Sequence, residues 1–161
     1  MRKAAYSALP LLAVIIFAVC GREASTDTPT AAQITVAEFG RLRWLEGRWR
    51  GAGGDVPPFF EAYRFLDDST IHSYTFADST FAAASDSGII RLRGDTVTSG
   101  WPAPQYVATA LDSTSVHFAA LPGAANDFSW HYTGPGAWTA RLTWDSAGVA
   151  RERIYEMRAI P

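Results

Sequence analysis

Four residues in the middle of the chain, Glu61, Tyr63, His72 and Tyr74, are of types that bind ligands or transfer protons. Within each pair the two residues are two positions apart, and a β-strand places such residues on one face. Glu61 and Tyr63 share their face with apolar residues, and His72 and Tyr74 share theirs with Phe76, so we expect all of them to point into one interior. A carboxylate in that position requires a partner or a raised pKa.

This group of residues supports more than one interpretation. The structural one is a buried polar network that fixes the register of two strands. The functional one is a polar contact inside an otherwise apolar ligand cavity, which Phe76 and Trp130 would also line. Glu61 as a general base with His72 as the acid is chemically possible, although nothing in the spacing requires it.

Other kinds of site find little support in the sequence. The three histidines, His72, His117 and His131, lack the close spacing of metal ligands, and Cys20 is the single cysteine. The chain has no Gly-x-Ser-x-Gly nucleophile motif, no Gly-x-Gly-x-x-Gly dinucleotide motif and no P-loop. We therefore expect no metal and no cofactor, and the sequence leans against an enzyme without deciding the question.

The composition predicts one packed domain. The chain has 161 residues, of which 48% are hydrophobic and 19% are charged, so it is too apolar for a disordered protein. Its net charge is −2 and its pI is near 5.9, which gives no cationic surface for nucleic acid.

From Gly47 onward the pattern indicates antiparallel β-structure. Short β-branched or aromatic runs are separated by Gly, Pro, Asp and Ser, and residues 138–144 alternate strictly between apolar and polar. Eight to ten strands of this kind can close into an up-and-down barrel, which removes exposed edges; a β-sandwich is the alternative. The aromatic residues expected to line the interior are Phe59, Tyr63, Phe65, Tyr74, Phe76, Trp130, Trp138 and Trp144.

A short helix is predicted before the first strand. Thr35 and Glu38 form a capping box, Leu42 and Leu45 lie near one face, and Gly47 ends the segment.

The first residues resemble an export signal. Arg2 and Lys3 precede an uncharged apolar run that is too short to cross a bilayer as a helix, which predicts a signal peptide over residues 1–19. Residues 17–20, Phe-Ala-Val-Cys, resemble the lipobox of bacterial lipoproteins, which implies a lipid anchor on Cys20 and residence in the cell envelope, on the periplasmic or outer-membrane side. Ordinary cleavage after Gly21 is the alternative.

The remaining chain divides into two parts. Residues 20–34 are rich in Ala, Ser, Thr and Pro and are predicted to form a flexible tether. Residues 35–161 are predicted to form the β-barrel domain.

The segment 42–51 resembles the opening of lipocalins and related calycins, because Gly47-Arg48-Trp49 is a Gly-x-Trp step between a short helix and a β-region. It is also similar to short bacterial exported proteins of unknown function with lipocalin-like folds. The resemblance implies a lipocalin-like barrel plugged at one end, with Trp49 packed there beneath Arg158 or Arg153.

Three further stretches support the narrower match: residues 61–63, 126–128 and 156–158. Asn126 stands where that group has a histidine. The group has no established activity to carry over, so the resemblance informs the fold more than the function.

The opening is also similar to nitrobindin-type haem barrels, whose Gly-rich continuation is echoed by residues 51–54. Their axial histidine lies in a late strand, where His131 is the nearest candidate. The alternation of His131 with Ser129 and Thr133 places it on the outer face of the predicted strand.

Together these observations predict an envelope-tethered barrel that binds a small apolar or amphipathic molecule without catalysis. The alternatives are a filled barrel that serves as a structural or interaction module of the envelope, with loop 101–104 as one contact surface, and a haem-binding or enzymatic barrel.

Overall fold

The computed structural model describes residues 28–53 and 56–161. The predicted signal peptide and Cys20 lie outside these residues. Thr35 caps a short helix, α1 (Val36–Phe39), which continues as a 3-10 helix (Gly40–Leu45). The capping box is present as predicted, because the Thr35 Oγ1 accepts a hydrogen bond from the Glu38 amide at 3.2 Å and the Thr35 amide donates to the Glu38 carboxylate at 2.8 Å.

Ten antiparallel strands follow and form one closed barrel, which confirms the predicted all-β fold and is consistent with a lipocalin-like barrel. Each strand pairs with its neighbours along the chain, and the barrel closes where the first strand pairs with the last. The strands are β1 (Gly47–Gly53), β2 (Val56–Asp67), β3 (Thr70–Phe76), β4 (Ala84–Arg93), β5 (Thr96–Ser99), β6 (Tyr106–Leu111), β7 (Ser115–Ala120), β8 (Asp127–Gly134), β9 (Ala137–Ser146) and β10 (Val149–Ile160).

The two helical segments close one end of the barrel, here called the helical end. Phe39, Leu42 and Leu45 are completely buried there and pack with Trp49 and Trp138 in the hydrophobic core. The opposite end, here called the mouth, carries the β5–β6 and β7–β8 loops, because successive antiparallel strands alternate in direction.

The packed domain begins before residue 35. The Ala32 amide donates to the Ala108 carbonyl at 2.9 Å, the Ile34 amide donates to the Asp95 carbonyl at 2.7 Å, and Ile34 is buried. The last residues of the predicted tether are therefore part of the domain. They lie beside the shortest pairing of the wall, where β5 and β6 are joined through two residue pairs, in contrast to the ten that join β9 and β10.

Candidate functional site

A cavity of about 390 Å³ lies inside the barrel toward the mouth. Its walls come from β2, β6, β8, β9 and β10, and most of its lining is aromatic or aliphatic. The residues that line it are Phe59, Glu61, Tyr63, Tyr106, Asn126, Phe128, Trp130, Trp138, Ala140, Leu142, Tyr155 and Met157.

Strand β2 supplies the polar contact of the cavity because its alternate residues point inward. Phe59, Glu61 and Tyr63 are opposite Gly51, Trp49 and Gly47 of β1 in the strand register. The ring of Phe59 can pack against β1 because Gly51 has no side chain; a Cβ built on Gly51 would lie 2.2 Å from that ring. The Gly-x-Trp-x-Gly motif thus has a local physical role, in which Trp49 fills the core and Gly51 lets the cavity wall approach the backbone.

The rings around the cavity pack mainly edge to face. Phe59 and Tyr155 form one pair, with centroids 5.1 Å apart, and Phe128 contacts Tyr106 at 4.8 Å and Trp130 at 5.2 Å. Toward the helical end, Tyr63 and Trp130 contact Trp138 at 5.9 and 5.7 Å. Each such pair contributes about 0.5–1.5 kcal/mol beyond the burial of its area.

Glu61 is the acidic residue of this cavity, and Tyr63 is its hydrogen-bond partner. The Tyr63 hydroxyl donates to the Glu61 carboxylate at 2.8 Å. Burial raises the pKa of the Glu61 carboxyl above its ordinary value, and the hydrogen bond from Tyr63 offsets part of that rise. Burial raises the pKa of the Tyr63 phenol well above its ordinary value, and the charge and hydrogen bond of Glu61 raise it further, so Tyr63 remains a donor.

His72, Tyr74 and Phe76 do not join Glu61, and the prediction that they face the same interior is wrong. Glu61 is opposite Thr75 in the register, whereas His72 is opposite Arg64. Residues directly opposite each other share a face, so His72, Tyr74 and Phe76 lie on the outer face of the barrel. The Glu61–His72 acid–base pair considered from the sequence does not form.

A β-bulge explains this reversal. A tight turn at Asp68-Ser69 would place Phe65 opposite His72 and bring both sets of aromatic residues to one face. The register instead shifts between Phe65 and Asp67, so Phe65 is opposite Ile71. The extra residue, Leu66, is 51% exposed, and the fully buried Ile71 takes the inner position.

The outer aromatic residues form a cluster of their own. The Tyr74 hydroxyl and the His72 Nδ1 are hydrogen-bonded at 2.8 Å, and the Phe76 ring lies 4.9 Å from that of Phe81 in the β3–β4 loop. The guanidinium of Arg48 lies 5.1 Å from the Phe81 ring centroid. Rings at these positions are therefore partly covered without entering the barrel.

Trp49 lies in the core at the helical end of the barrel. It is buried, its indole N–H donates to the Leu45 carbonyl at 2.7 Å, and its ring lies 5.8 Å from that of Trp138. The predicted stacking of Arg158 on Trp49 is wrong, because Arg158 is opposite Arg50 on the outer face and lies 3.3 Å from Glu156.

Arg153, the second candidate for that stack, lies at the mouth instead. It is exposed, its guanidinium is 5.9 Å from the Trp144 ring centroid, and it donates to the Tyr155 hydroxyl at 3.4 Å. Trp144 is partly buried and lies beyond the cavity lining.

Strand β8 behaves as its alternation predicted. Trp130 is buried and faces the cavity, and its ring lies 5.6 Å from that of Tyr63. His131 is exposed on the outer face, so its imidazole does not reach the cavity.

Several residues that line the cavity were not predicted from the sequence to do so. Tyr155 and Met157 alternate with the charged Glu156 and Arg158, and this period of two could have placed them on the inner face. Asn126 lies in a loop, where no periodicity applies.

Within residues 28–53 and 56–161, no three His, Cys, Asp or Glu side chains come together in a group that could hold a metal ion. In the same part of the chain, no helix has both the length and the apolar character that crossing a bilayer requires. Comparisons with protein-family models, with curated proteins and with solved structures found no match to this chain.

Proposed function

We propose that this protein is a small-ligand-binding barrel that holds an apolar or amphipathic molecule in the cavity at its mouth. The observation that carries the proposal is the cavity itself. Its volume of about 390 Å³ falls in the range of small-molecule sites, which span roughly 300–1,000 Å³.

The lining has the composition that such sites require. Aromatic and aliphatic side chains supply apolar contact area, and the Glu61–Tyr63 pair supplies an oriented polar contact. The other sequence-predicted residues, His72, Tyr74 and Phe76, have no part in this cavity.

Binding is tested with a neutral hydrophobic fluorophore, N-phenyl-1-naphthylamine, and by native mass spectrometry of the gently purified protein. We expect the fluorophore to brighten and shift to the blue when it enters the cavity, and we expect other small molecules to displace it. Repeated spectra without an added mass, together with no fluorophore response, would overturn the proposal.

Two variants test whether the fluorophore binds in the cavity. Ala140→Phe adds a ring inside the cavity and should abolish fluorophore binding, because Ala140 is buried in its wall. Ala110→Phe makes the same change at an exposed position of β6 and should bind as the parent does. Equal loss in both variants would assign the response to a site outside the cavity.

We also propose that the barrel is tethered to the cell envelope by a lipid on Cys20. The support is the sequence of residues 1–20, a charged start and an apolar run that ends in a lipobox-like Phe-Ala-Val-Cys. Growth of expressing bacteria with labelled palmitate should label the full chain and leave it in the membrane fraction, and Cys20→Ala should lose both. Label on the Cys20→Ala chain would exclude this anchor.

A further inference from the structure

The cavity lining, as far as the structure describes it, contains an acidic side chain and no basic one. Glu61 is the acidic residue of the lining, and among the described residues that line the cavity none is Arg, Lys or His. Its nearest inward-facing neighbours across the strands are Trp49 and Thr75, and Tyr63 supplies its hydrogen bond. Among the residues that the structure describes, the carboxylate therefore has a neutral donor and no cation beside it in the cavity.

Besides Glu61, the aromatic rings of the cavity walls favour a positively charged ligand. Seven of the lining residues are aromatic, and the face of an aromatic ring carries negative electrostatic potential. The Phe59–Tyr155 pair lies on the side of β2 and β10, and the Tyr106–Phe128–Trp130 series lies on the side of β6 and β8. Aromatic walls of this kind bind ammonium groups through cation–π contacts, which strengthen when water is excluded.

A carboxylate and aromatic rings favour the same ligand charge. An anion in this cavity would meet the Glu61 charge in a medium that screens poorly, whereas a cation would compensate that charge. The competing positive charge is Arg153, which is exposed at the mouth beside Tyr155, where water and salt screen it.

We infer that the cavity selects an organic cation, an ammonium group carried on a small apolar body, with the positive centre beside Glu61 and the apolar part against the aromatic walls. This inference rests on the proposed function and specifies the class of ligand.

Three probes of nearly equal size and shape test the charge preference: 2-phenylethylammonium, 2-phenylethanol and 3-phenylpropionate. Their affinities are measured by calorimetry and by displacement of N-phenyl-1-naphthylamine. We expect the ammonium compound to bind about tenfold more tightly than the alcohol, which corresponds to a cation–π and ion-pair gain of about 1.4 kcal/mol, and the carboxylate to bind most weakly.

Two variants remove one negative charge each. Glu61→Gln should reduce the advantage of the ammonium probe over the alcohol to less than about threefold. Glu156→Gln removes a charge from the outer face, where Glu156 contacts Arg158, and should keep the parent's preference. A β-sheet circular dichroism spectrum and a cooperative thermal melt like those of the parent show that the Glu61→Gln barrel is folded.

The outcomes separate the two proposals. Fluorophore and alcohol binding without a preference for the ammonium probe would overturn the cation inference and leave the ligand-binding barrel intact. A preference for the carboxylate would also overturn it and would indicate Arg153 as the charge that selects. No binding of any probe, the fluorophore included, would overturn both.

Discussion

The two ends of the barrel interior differ in what fills them. At the helical end, Phe39, Leu42 and Leu45 are excluded from water and complete a packed core with Trp49 and Trp138. At the mouth, the same inward alternation leaves a cavity of about 390 Å³ that contains a carboxylate. One wall thus encloses two environments, and the difference arises because the helical segments plug one end.

The packed helical end should therefore contribute most to stability, whereas the proposed ligand binding depends on the cavity at the mouth. Substitutions at the two ends should therefore affect different measurements.

The largest expected effect is on stability at the helical end. Leu42→Ala removes a completely buried side chain and should lower the free energy of unfolding by about 2–5 kcal/mol, measured by urea denaturation. Leu66→Ala is the matched control, since Leu66 is 51% exposed in the bulge, and its effect should stay within about 0.5 kcal/mol. Similar losses in both variants would contradict a core concentrated at this end.

A smaller effect is expected from Gly51→Ala at the mouth. The added Cβ would lie 2.2 Å from the Phe59 ring, so the ring must move, at a cost of about 1–3 kcal/mol and with weaker fluorophore binding. Gly40→Ala serves as the control, because a Cβ there meets nothing within 4 Å and the backbone has an ordinary helical conformation. Unchanged fluorophore affinity in Gly51→Ala would contradict the position assigned to Phe59.

The smallest effect is a pH-dependent change in stability from Glu61→Gln. Because the pKa of Glu61 is raised in the folded state, the parent loses stability as the pH rises from the carboxyl's ordinary value of 4.5 through the raised one. The glutamine carries no charge, so the variant should be the more stable protein at pH 7, and the difference should shrink as the pH falls toward 4. Thermal melts across this pH range check the prediction. A stability difference that grows toward low pH would contradict a raised pKa for Glu61.

Much of the fold was predictable because it depends on local patterns. The alternation in β2, β8 and β9 identified Glu61, Tyr63, Trp130 and Trp138 as inward-facing, and the capping box located α1. These signals depend on the periodicity of a strand or on a few neighbouring residues, which a sequence shows directly.

The face of β3 could not be deduced in the same way. This strand has aromatic residues on one side and Ile71, Ser73 and Thr75 on the other, and the larger rings favoured the wrong side. One extra residue in the β2–β3 connection decides the matter, since a shift of one position moves every side chain of a strand to the other face. The cavity could not be predicted from local patterns either, because its lining comes from five strands that meet only when the barrel closes.

The short pairing between β5 and β6 has a consequence for motion. Two residue pairs join these strands, and beside them the amides of Ala32 and Ile34 donate to the carbonyls of Ala108 and Asp95. If the wall opens locally, it parts there first, so the amide protons of β5 should exchange with deuterium sooner than those shared by β9 and β10.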